Sequence, residues 1–156
     1  MMREVLKRDD LTWREKLAFL AYRLSPVTDM KITDCPVKES FENGNYVREI
    51  FIPAGTVFIG RPHRRGHHIR GISGTVIYRD ENGSRYLTAP FDLFTEPGTQ
   101  CAVTALTDHV ARTYHPNPGM CQDFTECELA AFEPVEDVLE LGRAVDQRTK
   151  ELECQV

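Results

Sequence analysis

From Tyr46 to His115 the chain is a succession of short β-forming runs broken by turn residues every eight to twelve positions or so, with no helical periodicity between them. Residues 46–52 (Tyr-Val-Arg-Glu-Ile-Phe-Ile) alternate, Pro53-Ala54-Gly55 turns the chain, and residues 56–60 form the next run. Residues 75–79 and 84–88 flank Asp80-Glu81-Asn82-Gly83, whose Asn-Gly pair signals a hairpin. Residues 90–95, 101–106 and 109–115 complete the series, separated by Glu96-Pro97-Gly98-Thr99 and Thr107-Asp108. Strands this short and this regularly punctuated predict a mainly β sandwich or barrel. A parallel sheet is excluded, because each parallel connection needs a crossover, usually a helix.

The flanks read differently. Thr12 and Glu15 form a capping box, each able to satisfy a free amide at a helix start. Trp13, Leu17, Leu20, Ala21 and Leu24 then recur at helical spacing until Ser25-Pro26 stops them. This helix is expected on the outside of the sheet or on a partner subunit. Residues 27–45 carry short strand-like pieces and a turn at Glu42-Asn43-Gly44-Asn45. After His115-Pro116-Asn117-Pro118-Gly119 the composition turns acidic and helical, with one helix over 123–132. Pro134 opens a second, on which Val138, Leu141, Val145 and Leu152 share a packing or dimer face. The segments are thus 1–45 (helix and lead-in strands), 46–119 (β core) and 120–156 (acidic helical extension), within one domain.

A chain of 156 residues supports one domain with a real core. Its net charge of −5 argues against general nucleic-acid binding, which needs a basic surface to neutralise phosphates. No apolar stretch is long enough to span a bilayer, and the charged N-terminus lacks the apolar core of a signal peptide. A cytoplasmic location is expected. The 5 cysteines are an odd number and widely spread, so free thiols are the expectation.

Chemistry concentrates between residues 61 and 70. Three of the chain's 5 histidines, His63, His67 and His68, fall here, between two β-forming runs, and read as a strand, a histidine-bearing turn and a strand. Neutral imidazole is the commonest protein ligand of divalent transition metals. The candidate ligands are His63, His67 and His115, with His68, Glu49 and Cys101 in reserve. Neighbours on a strand point to opposite faces, so His67 and His68 are not expected to serve together. A Cys101 thiolate would favour zinc, whereas three nitrogens and a carboxylate admit iron, manganese or nickel. The plainer alternative is that these are exposed turn residues or hydrogen-bonded groups at a barrel mouth. Arg61, Arg64, Arg65 and Arg70 suit a bidentate grip on a small anionic ligand, or else form a solvated basic loop. His109, after Asp108 in a turn, reads as surface; Cys121, Cys127 and Cys154 read as incidental. A zinc site from His115, Cys121 and Cys127 matches no usual knuckle spacing, and nucleophile-elbow, phosphate-loop and dinucleotide motifs are absent.

The order Pro53-Ala54-Gly55-Thr56, histidine turn, Gly74, Asn82-Gly83, Ala89-Pro90, Pro97-Gly98-Thr99 and a last strand ending in His115-Pro116 resembles the cupin superfamily of RmlC-like jelly rolls. More narrowly, with Thr12-Trp13-Arg14-Glu15-Lys16 and Tyr46-Val47-Arg48-Glu49, it is similar to small cupin proteins of tailed bacteriophages and prophages, which generally lack an assigned activity. The resemblance implies a jelly-roll barrel, a homodimer, and a divalent metal held by two closely spaced histidines, a glutamate and a further histidine. This chain departs from that set. His63 and His67 or His68 lie too far apart for a His-x-His pair, no glutamate follows before Gly74, and Cys101 stands where the last histidine would. His115 and Glu49 are the substitutes. Two functions are expected on this basis: a phage-type cupin binding a metal or small anionic ligand, with isomerase, oxygenase and hydrolase chemistry all open; or a non-catalytic accessory protein acting through contacts with a host or phage protein.

Overall fold

Alternation and turn chemistry produce nine strands, and amphipathic periodicity produces four helices, in the computed structural model, which describes residues 1–24 and 35–155. The chain divides into two compact units: Met1–Ile32 with Pro134–Val156, and Thr33–Glu133. The sequence boundaries at 45 and 119 both fall within the second.

The first unit holds α1 (Met2–Leu6), α2 (Trp13–Leu24) and α4 (Val135–Cys154). The capping box forms: the Thr12 amide donates to Glu15 Oε2 at 2.9 Å, and the Glu15 amide to Thr12 Oγ1 at 3.2 Å. The stop at Ser25-Pro26 lies outside the described residues. Leu17 and Leu20 on α2 are fully buried, each contributing about 1.5–3 kcal/mol by its burial. Their cover differs from the expectation of a sheet or a partner subunit, for α2 packs on α4. Val138 and Val145 of α4 are buried, and Gly142 lets the Ala18 carbonyl of α2 approach so closely that a Cβ would overlap it. Arg148–Glu15 at 2.9 Å and Arg23–Asp146 at 3.3 Å link the same two helices. Leu152, assigned to the packing face by periodicity, is 52% exposed.

The second unit is mainly β. Strands β1 (Val37–Glu42), β2 (Asn45–Ile52), β9 (His109–Pro116), β4 (His67–Ser73) and β7 (Phe91–Thr95) form one antiparallel sheet, in the order β1-β2-β9-β4-β7. The other runs β3-β8-β5-β6, from β3 (Val57–Ile59), β8 (Ala102–Ala105), β5 (Thr75–Asp80) and β6 (Gly83–Thr88). Setting β1 aside, the two four-stranded orders are those of an eight-stranded jelly roll. No strand pairing among the described residues joins one sheet to the other, so the closed barrel expected from the sequence is a two-sheet roll. The β1–β2 hairpin turns on Asn43 and Gly44, with φ of 49° and 77°, the left-handed pair that a two-residue hairpin requires.

Two local readings change. The β5–β6 hairpin forms, but Asp80 pairs with Gly83, so its loop is Glu81-Asn82 rather than Asn82-Gly83. The Asn82 amide donates to Asp80 Oδ1 at 2.9 Å, and this side-chain turn fixes the earlier position. Residues 67–73, read as part of a turn, are the strand β4, hydrogen-bonded on both sides by β7 and β9. Its inward positions are His67, Ile69 and Gly71, a polar-headed alternation that hides a central strand. A last helix, α3 (Phe124–Ala131), starts at Asp123, whose side chain caps the Glu126 amide at 3.0 Å.

Candidate metal centre

Strand alternation decides which side chains enter the roll. On β9 the inward row is His109, Ala111, Thr113 and His115; on β2 it includes Tyr46, Arg48 and Ile50. His67 opens β4 facing inward, which sends His68 outward, where it is exposed and lies edge-on to Phe94. His63 precedes β4 and is fixed by a bridge to Phe132. The His63 amide donates to the Thr99 carbonyl at 3.1 Å, the Arg64 amide to Ala131 at 2.8 Å, and the Glu133 amide to Pro62 at 3.0 Å.

The result is a cluster of three buried imidazoles, His63, His67 and His115, whose ligand nitrogens all lie within 4.8 Å of one another. Ring centroids are 3.8 Å apart for His63–His67, 4.9 Å for His67–His115 and 5.5 Å for His63–His115. A threonine holds each ring. His63 Nδ1 donates to the Thr99 carbonyl at 3.3 Å, leaving Nε2 for a ligand. Thr95 Oγ1 lies 2.6 Å from His67 Nδ1 and 3.1 Å from its Nε2, and Thr113 Oγ1 lies 2.9 Å from His115 Nε2. Such partners orient the imidazoles of metal sites.

Burial holds all three rings neutral, the form that binds metal. Loss of hydration is the largest cause for each, pushing His63 down to about 3, His67 to about 4 and His115 to about 2. Repulsion from His67 adds to the effect on His63 and His115. The donors fit a divalent transition ion in number, type and protonation. Metal–nitrogen bonds near 2.0–2.1 Å would set the nitrogens roughly 3–3.4 Å apart, so rings whose nitrogens span up to 4.8 Å would have to close on the ion.

The remaining candidates lie elsewhere. Glu49 is engaged by Arg112 at 2.7 Å. Cys101 is buried, and burial pushes its thiol up to about 12, away from the thiolate a metal would need. Among the described residues neither belongs to the three-donor cluster. The four arginines separate as well. Arg70 pairs with Asp92 at 3.1 Å, Arg64 donates to the Phe132 carbonyl at 3.0 Å, and Arg65 donates to that of Pro116 at 3.3 Å. Arg61 alone of the four lines the interior, bonded to Glu128 at 2.6 Å. His109, read as surface, is 3% exposed, donates through Nδ1 to the Ser73 carbonyl at 2.8 Å and stacks on Phe91.

Several residues of the site carry no motif. Phe132 packs against His63 at 4.6 Å and His115 at 5.0 Å, shielding the cluster from water. Arg48 stands 5.0 Å over the same ring and 3.7 Å from Glu128. Thr113 and Arg48 could have been found by counting in twos, from His115 and Tyr46; Phe132, at the end of a helix distant in sequence, gave no such signal.

No family model matches the chain, and no curated protein matches it. Solved structures do. A cupin-2 domain protein from Shewanella frigidimarina is 11% identical with a TM-score of 0.44, over 52% of this chain and 79% of that one. An RmlC-like cupin family protein with a double-stranded β-helix fold from Methanocaldococcus jannaschii is 11% identical with a TM-score of 0.46, over 55% and 83%. A double-stranded β-helix domain protein from Klebsiella pneumoniae is 17% identical with a TM-score of 0.47, over 55% and 80%. The jelly-roll assignment rests on the strand order of the chain itself. Among the described residues, no helix is long and apolar enough to cross a membrane.

Proposed function

We propose that this chain is a cupin-type protein that holds one divalent transition metal, zinc, iron, manganese or nickel, on His63, His67 and His115. The observation that carries the reading is the meeting of buried His63 and His67 with His115, remote from them in the chain, with ligand nitrogens within 4.8 Å. Three uncharged ring nitrogens leave coordination positions open, and an ion bound this way can polarise a ligand oxygen or activate water. The chain's own contribution is to keep the donors unprotonated by burial, to orient them through Thr95, Thr99 and Thr113, and to exclude water with Phe132. A bacteriophage source and a host or phage protein partner rest on the sequence resemblance, and a homodimer on that resemblance and on the amphipathic helices at both ends.

Elemental analysis of untagged protein, purified without added metal, tests this. One metal per chain is expected, and the His63→Ala/His115→Ala variant is expected to lose it while keeping the wild-type circular dichroism. Native protein that arrives without metal and, after stripping, takes up none of Zn²⁺, Fe²⁺, Mn²⁺ or Ni²⁺ refutes the proposal.

A further inference from the structure

Beside the three histidines, and sharing His63 with them, the roll encloses a cavity of about 100 Å³. At roughly 10–15 Å³ per water-sized group, it has room for a small organic molecule rather than a single water. Most of its wall is aliphatic or aromatic, including Ile50, Ile52, Val76, Phe91 and Val103. That part of the surface offers water nothing to bond.

Against that apolar wall stand two guanidinium groups. The side chains of Arg48 and Arg61 are only 13% and 9% exposed, and both line the cavity. Both reach the same carboxylate, that of Glu128, at 3.7 and 2.6 Å, and both lie over the Phe132 ring, at 5.0 and 4.5 Å. Two buried cations on one anion leave a positive charge to be matched, and an unmatched charge out of water is costly. The neighbouring imidazoles are neutral and cannot match it. A second, independent observation points the same way. Tyr78 is 3% exposed and lines the same cavity, yet its hydroxyl has no nitrogen or oxygen partner among the described residues, only the weakly bonding Cys101 thiol beside it. Buried hydroxyls without a partner are rare in native proteins.

We infer that the cavity binds a short-chain aliphatic monocarboxylate, its carboxylate against Arg48 and Arg61, with Tyr78 donating to an oxygen and the tail lying among Ile50, Val76 and Phe91. The apolar wall selects against inorganic phosphate and hydroxylated anions, which would lose hydration there without compensation. This deepens the reading of the roll as a ligand-binding site, but the groups named belong to the protein and bind with or without a metal.

The test is calorimetric titration of the full chain, stripped of metal with EDTA, with sodium isocaproate, its amide, and inorganic phosphate. Isocaproate is expected to bind one per chain and the amide at least about tenfold more weakly, the difference between a charge-assisted and a neutral contact. Arg48→Met and Arg61→Met should each weaken isocaproate by a similar factor. Tyr78→Phe, which keeps the shape of the ring, should weaken it severalfold without unfolding the roll. The His67→Ala variant, altered at a ligand that does not line the cavity, should lose metal and keep isocaproate, so the two readings fail separately. Equal binding of acid and amide, binding of phosphate in preference, or no saturable isocaproate binding by folded protein each overturns the inference.

Discussion

Three imidazoles held neutral by burial make the metal-free protein acid-sensitive, by an amount that follows from their positions. Each has a folded pKa below the ordinary 6.5: about 3 for His63, about 4 for His67 and about 2 for His115. The unfolded chain therefore binds protons that the folded chain refuses. Their stabilising contribution is complete above pH 6.5 and is lost as pH falls toward the folded values. At pH 5 each group favours the unfolded state by about 2 kcal/mol relative to pH 7.5, and the three together by about 6 kcal/mol. That approaches the whole stability of an ordinary domain, ~5–15 kcal/mol. Urea unfolding of EDTA-treated protein, followed by the near-ultraviolet circular dichroism of its tyrosines, should show the loss between pH 7.5 and 5.0. The three rings account for nearly three of the protons taken up on unfolding near pH 5, and buried His109, whose pKa is also lowered by loss of hydration, adds to them. His67→Gln removes one titrating ring and should reduce that uptake by nearly one proton, whatever it does to stability at pH 7.5. A fall of less than about 1 kcal/mol in the wild type would refute the argument, since it would mean that the rings are hydrated in the folded state.

Two further outcomes concern the scaffold. Gly142→Ala places a Cβ against the Ala18 carbonyl, with the Tyr22 Cβ at 2.6 Å, and should destabilise the helical unit by ~1–3 kcal/mol, read from Trp13 fluorescence during denaturation. Asp123→Ala removes the cap from the Glu126 amide; a loss of about 1 kcal/mol and faster hydrogen exchange at that amide are expected, and unchanged exchange would show that the cap does not hold α3.

What could be read from the residues alone follows from how local each signal is. The capping box at Thr12 and Glu15, the Asn43-Gly44 turn and the alternation of residues 46–52 are set by neighbours in sequence, and they form where expected. β4 was hidden because its inward face begins with an imidazole and passes Gly71, so hydrophobic alternation is weak along a strand flanked on both sides. His109 was misplaced for a related reason. Following Asp108 in a turn suggested solvent, but β9 already begins at residue 109, and its inward position there is met by the Ser73 carbonyl and Phe91. The arginines read as one cluster because they are close in sequence, but Arg61, Arg64 and Arg65 lie in the connection between β3 and β4, and Arg70 alone is on a strand. Arg61, in that connection, turns inward to meet Arg48 of β2, and Arg70 on β4 turns outward to Asp92. Nothing local announces Glu128 or Phe132, whose places depend on how residues 131–133 return to residues 62–64.

One strand, β9, carries His109, Ala111, Thr113 and His115 along its interior edge, and its opposite face shows Arg112 to Glu49 and Tyr114 to Arg70. The site is thereby tied to parity. A slip of β9 by one residue against β2 and β4 would exchange those two sets, driving a guanidinium and a phenol inward and turning His115, Thr113 and His109 out to solvent. Side chains on β9 can therefore be exchanged one at a time, whereas a slip of its pairing by one residue would erase the histidine cluster and the wall of the roll together.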